Sequence, residues 1–268
     1  MSEWELPARP VIGILHPGAM GAALGSALKP RAGAVIWADA GRTHATAKRA
    51  ELADLIAVPT VADLARRADV VVSICPPHAA LEVAEHVAAA SRPAGSAAGG
   101  PLYVDANAVS PATVARIGEL FGEALVDGAV IGPPAWEQGR TVLWLSGPHA
   151  ATVAGLFEGT PFIPRIAGPE PGTASALKAC FALQSKALPA IWLALDEAAR
   201  AYGVTEQLRE ELTRAGVDLD DRLAGIGPQA REKGWRWVGE MEEAAAAFDA
   251  IGVPGGFSRA AAEVYRRA

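Results

Sequence analysis

Lys178 is the one charged side chain in the stretch 172–181, GTASALKACF. An ammonium among apolar neighbours is costly unless it snorkels to water or has a site to serve. Desolvation lowers the pKa of such a lysine and makes it a proton donor or acceptor. Lys186 follows on a similar helical face. A second reactive pattern opens the chain. The apolar run Val11–Leu15 breaks into His16, Pro17, Gly18, Ala19, Met20 and Gly21, then into an Ala/Leu-rich segment. Strand, tight turn and helix in that order form the phosphate-cradling corner of a dinucleotide-binding βαβ unit. Gly18 would let backbone approach a pyrophosphate, and Gly21 would let helix pack on strand, while His16 stands where G-x-G-x-x-G has its first glycine. His16, Pro17, Gly18, Ala19 and Met20 are therefore the expected cofactor contacts.

Three further strand ends carry candidate groups. Asp39 and Arg42 follow the apolar run 34–38. An acidic residue there suits the ribose hydroxyl of NAD, and an arginine suits the 2′-phosphate of NADP. Asp39 is offset by one from the usual acidic position, so Arg42 weighs more and NADP is expected, with NAD as the alternative. Cys75 and Pro76 end the run 69–74, where their backbone would border a cofactor. Cys75 itself reads as packing, since no basic residue flanks it in sequence. Asn107 follows the run 102–105, where nicotinamide or substrate would lie, and Ser110-Pro111 reads as a helix cap. His78, Glu82 and His86 share a helix face that reads as solvated, and no metal site is expected. Trp235 opens WRWVGEMEE (235–243), which suits a substrate pocket, a subunit interface or helix packing.

These groups need a scaffold. Strand-like runs at 11–15, 34–38, 55–58, 69–74, 102–105 and 125–131 alternate with helical segments as far as residue 121. Near-continuous apolar strands of this kind predict a Rossmann-type, doubly wound parallel sheet covered on both faces. Residues 91–101, rich in Gly, Ala, Ser and Pro, read as a surface loop. Beyond Pro169 the periodicity is helical throughout, with one long helix over Gly172–Tyr202 interrupted at Pro189. The expected division is an α/β dinucleotide-binding domain over 1–168 and a smaller all-helical substrate and dimerisation domain over 169–268.

Composition narrows the classes. With 268 residues, 51% of them hydrophobic, the chain can bury a large core. A net charge of −6 lacks the basic footprint of nucleic-acid binding. The opening Met1–Glu5 is acidic with no apolar run behind it, and no segment reaches the ~20 apolar residues of a membrane span. Cys75 and Cys180 read as buried free thiols of a reducing cytoplasm.

Five segments in order resemble the β-hydroxyacid dehydrogenase family, which includes 3-hydroxyisobutyrate and 6-phosphogluconate dehydrogenases and, more distantly, imine reductases. Residues 13–21 are similar to G-x-I-G-L-G-x-M-G and Arg42-Thr43 to a strand-end Asn-Arg-Thr. Residues 105–111 resemble D-x-S-T-x-S-P with Asn107 for a serine, and 127–132 resemble D-A-P-V-S-G with Ile131 for a serine. Residues 172–178 resemble G-x-G-x-x-x-K. The tail, Trp235–Glu243 above all, resembles a less characterised bacterial subgroup with a 6-phosphogluconate-dehydrogenase-like C-terminal domain.

The resemblance implies a Rossmann domain, a helical domain and a homodimer with its active site in the interdomain cleft. It implies Lys178 as catalytic acid/base with Asn107 beside it, and Gly132, Lys178 and Trp235 at a small-molecule substrate. The family's asparagine four positions after the lysine is Ala182, which together with Ile131 points to a bulkier or less acidic substrate. Two alternatives stand: an imine reductase on the same scaffold, although those enzymes carry Asp or Tyr at the lysine position, and a catalytically inactive NADP(H)-binding module.

Overall fold

The computed structural model describes residues 6–91 and 100–267. Met1–Glu5 and most of the expected 91–101 loop lie outside the described residues. The chain divides into two compact units, residues 1–178 and 179–268.

The first unit is built on one eight-stranded sheet in the order β3-β2-β1-β4-β5-β6-β7-β8. Its elements are β1 (Val11–Leu15), α1 (Ala19–Leu28), β2 (Ala34–Ala38), α2 (His44–Leu52), β3 (Ile56–Val58), α3 (Val61–Arg67), β4 (Val70–Ser73), α4 (Ala80–Ala90), β5 (Leu102–Asp105), α5 (Pro111–Phe121) and β6 (Leu125–Ile131). These strands run parallel. Two apolar layers form, because alternate residues of the strands point to opposite faces. Ile12, Ile14, Val70 and Val104 face one layer; Leu15, Val71, Tyr103 and Leu125 face the other. Helix starts are fixed by hydroxyl caps. Thr43 accepts the N–H of Thr46 at 3.2 Å, Thr60 that of Asp63 at 3.0 Å and Ser110 that of Thr113 at 3.3 Å. Each satisfies an N–H that the first helical turn leaves without a partner.

The sheet extends further than the sequence reading. β7 (Thr141–Ser146), α6 (Ala150–Phe157) and β8 (Phe162–Gly168) follow β6. β7 is antiparallel to β6, and β8 runs parallel to β7. The sheet is therefore mostly rather than wholly parallel. β8 carries Pro164 and Arg165 inside a strand pattern, a combination tolerated because β8 is the sheet edge. Then α7 (Thr173–Ala182) begins, and the first unit ends within it at Lys178.

In the second unit α7 passes through a π-helical turn, Leu183–Ala187, into α8 (Leu188–Tyr202). The expected interruption at Pro189 takes this form. Proline has no N–H for the carbonyl one turn back, and the helix widens ahead of it. The Leu188 N–H donates to the carbonyl of Leu183, and the Ser185 hydroxyl donates to that of Phe181 at 3.0 Å. α9 (Thr205–Arg214), α10 (Leu219–Asp249) and α11 (Gly256–Arg267) complete the unit. Its core is rich in alanine, with Met241 and Tyr265 as larger members. The Tyr265 hydroxyl donates to the Lys186 carbonyl at 2.6 Å, and Trp237 meets its ring edge-on at 5.0 Å. Lys186 pairs with Glu240 at 2.9 Å, so this lysine secures the π-turn to α10. Cys180 is exposed on α7, which corrects the expectation of two buried thiols.

Candidate functional site

The crevice between β1 and β4 is where strand order reverses, and ligands of open α/β sheets bind beyond the strands' carboxyl ends at such a point. β1 leads there into His16, whose φ of 63° lies in the left-handed region. A glycine adopts that conformation without strain, and a histidine does not. The Gly18 N–H closes the turn onto the His16 carbonyl at 2.7 Å. A Cβ on Gly21 would lie 2.5 Å from that same carbonyl, so a side chain there would drive α1 off the turn. A Cβ on Gly18 would meet nothing within 4 Å. α1 has no side-chain cap hydrogen bond, and a helix start of this kind suits an anion.

The side chains around this corner are electrostatically coupled. Burial, reinforced by the Arg42 charge, pushes the His16 imidazole down to about 4. The guanidinium of Arg42, half-buried after β2, is itself held below its usual value by burial. Nδ1 of His16 and Nε of Arg42 are buried without a hydrogen-bond partner. Asp39 is exposed, and its carbonyl accepts the Arg42 N–H at 3.1 Å. Burial and the nearby Asp105 push the Cys75 thiol up to about 12, which makes it a packing group rather than a nucleophile. These residues fit a dinucleotide: open space over a glycine turn, an uncapped helix start and two buried nitrogens awaiting partners.

A second group lies along the sheet. Strand register places Ser73, Asp105, Asp127 and Ser146 side by side across β4, β5, β6 and β7. All four are 0% exposed, a polar row through an apolar sheet. Asp127 accepts from the Gly172 N–H at 2.9 Å, the Ser175 N–H at 3.0 Å, the Ser175 hydroxyl at 2.6 Å and the Ser146 hydroxyl at 2.9 Å. The Ser146 hydroxyl also accepts the Ala174 N–H at 3.1 Å. A carboxylate on the sheet thus caps α7, the helix that carries Lys178. Asn107 is 2% exposed and braces the row. Its Oδ1 accepts the Cys75 N–H at 2.6 Å, its Nδ2 donates to Ser73 at 3.1 Å and its own N–H donates to Asp105 at 2.9 Å. Burial pushes the Asp105 carboxyl up to about 7, raised further by Asp127 and opposed by Lys178 and the Asn107 hydrogen bonds.

The first unit thus brings together His16, Pro17, Gly18, Ala19, Met20, Arg42, Cys75 and Pro76 at one end of the sheet, with Asn107 and Lys178 around the polar row. Gly132, at a φ of 131°, ends β6 against Thr141 and Arg140. Trp235 belongs to the second unit, where it is 69% exposed on α10. His78, Glu82 and His86 are exposed, and no group of three metal-capable side chains occurs among the described residues. A surface pocket beside Arg31, Trp136 and Glu158 lies at the other end of α1. Asp105, Asp127, Ser146 and Ser175 were not singled out from sequence. The signal available was a lone carboxylate in each of the apolar runs 102–105 and 125–131.

Comparison with known proteins bears on the fold. Residues 199–268 match the model of a domain of unknown function, DUF1932. A curated relative is an uncharacterised 28.5 kDa protein of Methanothermus fervidus, 32% identical over 174 residues. That alignment spans 64% of this chain and 64% of the relative. A conserved hypothetical protein from Sinorhizobium meliloti has a solved structure 26% identical to this chain, covering 97% of it and 88% of that protein, with a TM-score of 0.69. The 3-hydroxyisobutyrate dehydrogenase of Mycobacterium tuberculosis shares the fold at 18% identity, covering 97% and 93% of the two chains, with a TM-score of 0.69. A reductive aminase from Aspergillus terreus, solved with NADPH and ethyl levulinate, shares it at 18% identity, 97% and 93% coverage and a TM-score of 0.59. The architecture is that of solved 3-hydroxyacid dehydrogenases and related reductases. No helix among the described residues is long and apolar enough to cross a membrane.

Proposed function

We propose that this β-hydroxyacid dehydrogenase-like chain is an NADP(H)-dependent oxidoreductase with Lys178 as its general acid/base. The reaction moves a hydride to or from a carbinol or carbonyl carbon of a small metabolite. The observation that carries this reading is the anchoring of α7 by Asp127, which ties the Lys178 helix to the sheet that ends in the dinucleotide corner. A bound nicotinamide dinucleotide supplies or accepts the hydride. The N–H groups at the start of α1 would hold its phosphates, and the side-chain-free surface of Gly18 would admit them. Arg42 would meet a 2′-phosphate, with Asp39 as the group for NAD. Asn107 holds the Cys75 N–H, and the Cys75-Pro76 backbone would border the bound cofactor. Lys178 gives its proton to the substrate oxygen in reduction and takes it back in oxidation.

Titration with NADPH and NADH tests the cofactor half. Arg42→Ala should weaken NADPH binding by about tenfold or more and NADH binding little, the 2′-phosphate contact being charge-assisted. Equal losses would shift the weight to Asp39. Lys178→Met should retain cofactor affinity and lose turnover, and undiminished turnover would end the acid/base assignment. A second reading, reduction of imines, draws on the likeness to the Aspergillus reductive aminase and on Ala182. Turnover of cyclic imines with NADPH would favour it. On the leading reading the protein is a cytoplasmic homodimer acting on a small molecule, with light scattering as the check on the dimer.

A further inference from the structure

The polar row holds two neighbouring carboxylates that are treated differently. Asp127 accepts hydrogen bonds from the Gly172 and Ser175 N–H groups and from the hydroxyls of Ser146 and Ser175. Asp105 stands next to it in the register, 0% exposed, and accepts the Asn107 N–H on Oδ1. Its Oδ2 is buried with no hydrogen-bond partner. A buried carboxyl oxygen left unpaired is costly and calls for an explanation within the site. The ionisable groups that act on Asp105 come from each element around it. They are Asp127 on β6, Lys178 on α7, Tyr103 on its own strand and Cys75 after β4. Lys178 is the one cation among these four. Tyr103 and Cys75 are both pushed up by burial and by Asp105 itself, so both stay neutral. Lys178 follows Ser175 by three residues on α7, and Ser175 is held by Asp127, the register neighbour of Asp105, so the lysine lies on the side of the helix that meets the row.

We propose that Asp105 is a positioning residue for Lys178: its buried carboxylate, with one oxygen unpaired, supplies the charge that keeps the Lys178 amine protonated. A lysine that must donate a proton during carbonyl reduction loses activity once it deprotonates, and a fixed anion behind it extends its working range to higher pH. Asp127 has both oxygens hydrogen-bonded, to the start of α7 and to Ser146 on β7, whereas Asp105 keeps one oxygen without such a partner.

The proposal rests on Lys178 as acid/base, and its test needs no turnover. Competitive acetylation of the full chain with acetic anhydride across pH 7 to 11, read at the Lys178 peptide by mass spectrometry, gives the titration midpoint of that amine. Asp105→Asn should lower the midpoint by about one pH unit, while exposed Lys48 keeps its own. A structural role alone would change stability and leave the Lys178 midpoint in place; an unchanged midpoint overturns the proposal. If Asp105→Asn does not fold, Lys178→Met reads the same coupling from the other side, because linkage is reciprocal. In that variant the Asp105 carboxyl, followed by NMR with labelled aspartate, should titrate at higher pH than in the wild type, and an identical titration overturns the proposal. Full turnover by Lys178→Met would remove the catalytic role of the lysine yet leave the midpoint shift measurable, so the two failures are distinguishable.

Discussion

His16 and Asp105 are buried ionisable groups with opposite consequences for stability. The imidazole, pushed down to about 4, resists protonation in the folded chain while the unfolded chain takes up a proton near 6.5. Its contribution is complete above pH 6.5 and is lost as pH falls towards 4. The Asp105 carboxyl, pushed up to about 7, favours the folded chain at low pH, and that contribution is lost as pH rises from about 4 through 7. Between pH 4 and 6.5 the two oppose each other. His16→Gly should therefore gain stability relative to the wild type as pH is lowered through this window. Urea unfolding at pH 7.5 and pH 4.5 checks it, and a difference independent of pH would refute the buried neutral imidazole. Glycine also removes the strain of a left-handed histidine, of order 1 kcal/mol, partly offset by the freer unfolded chain.

At the scale of elements, the decisive contact is a sheet carboxylate capping a helix some 45 residues away in sequence. Asp127→Ala would leave the Gly172 and Ser175 N–H groups buried without an acceptor. A loss of about 2–4 kcal/mol is expected, with faster amide exchange over 172–178. Unaltered exchange there would mean that α7 is held by packing alone. The contrast between β1–β6 and this cap defines what the sequence discloses. β-branched runs and Ser/Thr/Pro starts are local signals, and α3, α5, β5 and β6 fall where periodicity places them. Pro164 and Arg165 interrupt the apolar pattern of β8, whereas β7, Thr141–Ser146, is an apolar run in its own right and its place in the sheet follows only from pairing with β6. Lys178 and the glycine turn were legible as charge and glycine out of place. Asp105 and Asp127 were not, since strand register alone brings them into a row.

For the molecule as a whole, a ligand that binds the folded chain alone stabilises it by an amount that grows with the logarithm of its concentration. NADPH at about 100 times its dissociation constant should add roughly 2.7 kcal/mol. Amide protection should centre on the turn after β1, the Arg42 loop and the Cys75 backbone; protection confined to the second unit would contradict the corner as the cofactor site. The two glycines of that corner then differ in what demands them. Gly21 is demanded by the chain itself, through the carbonyl of His16, whereas at Gly18 a side chain would meet empty space. A library randomised at both positions and selected only for folding should discard nearly everything but glycine at 21 and retain many residues at 18. Selection for dinucleotide capture should restore glycine at 18. On the proposed reading, glycine at 18 answers to a molecule outside the chain and glycine at 21 to the chain itself.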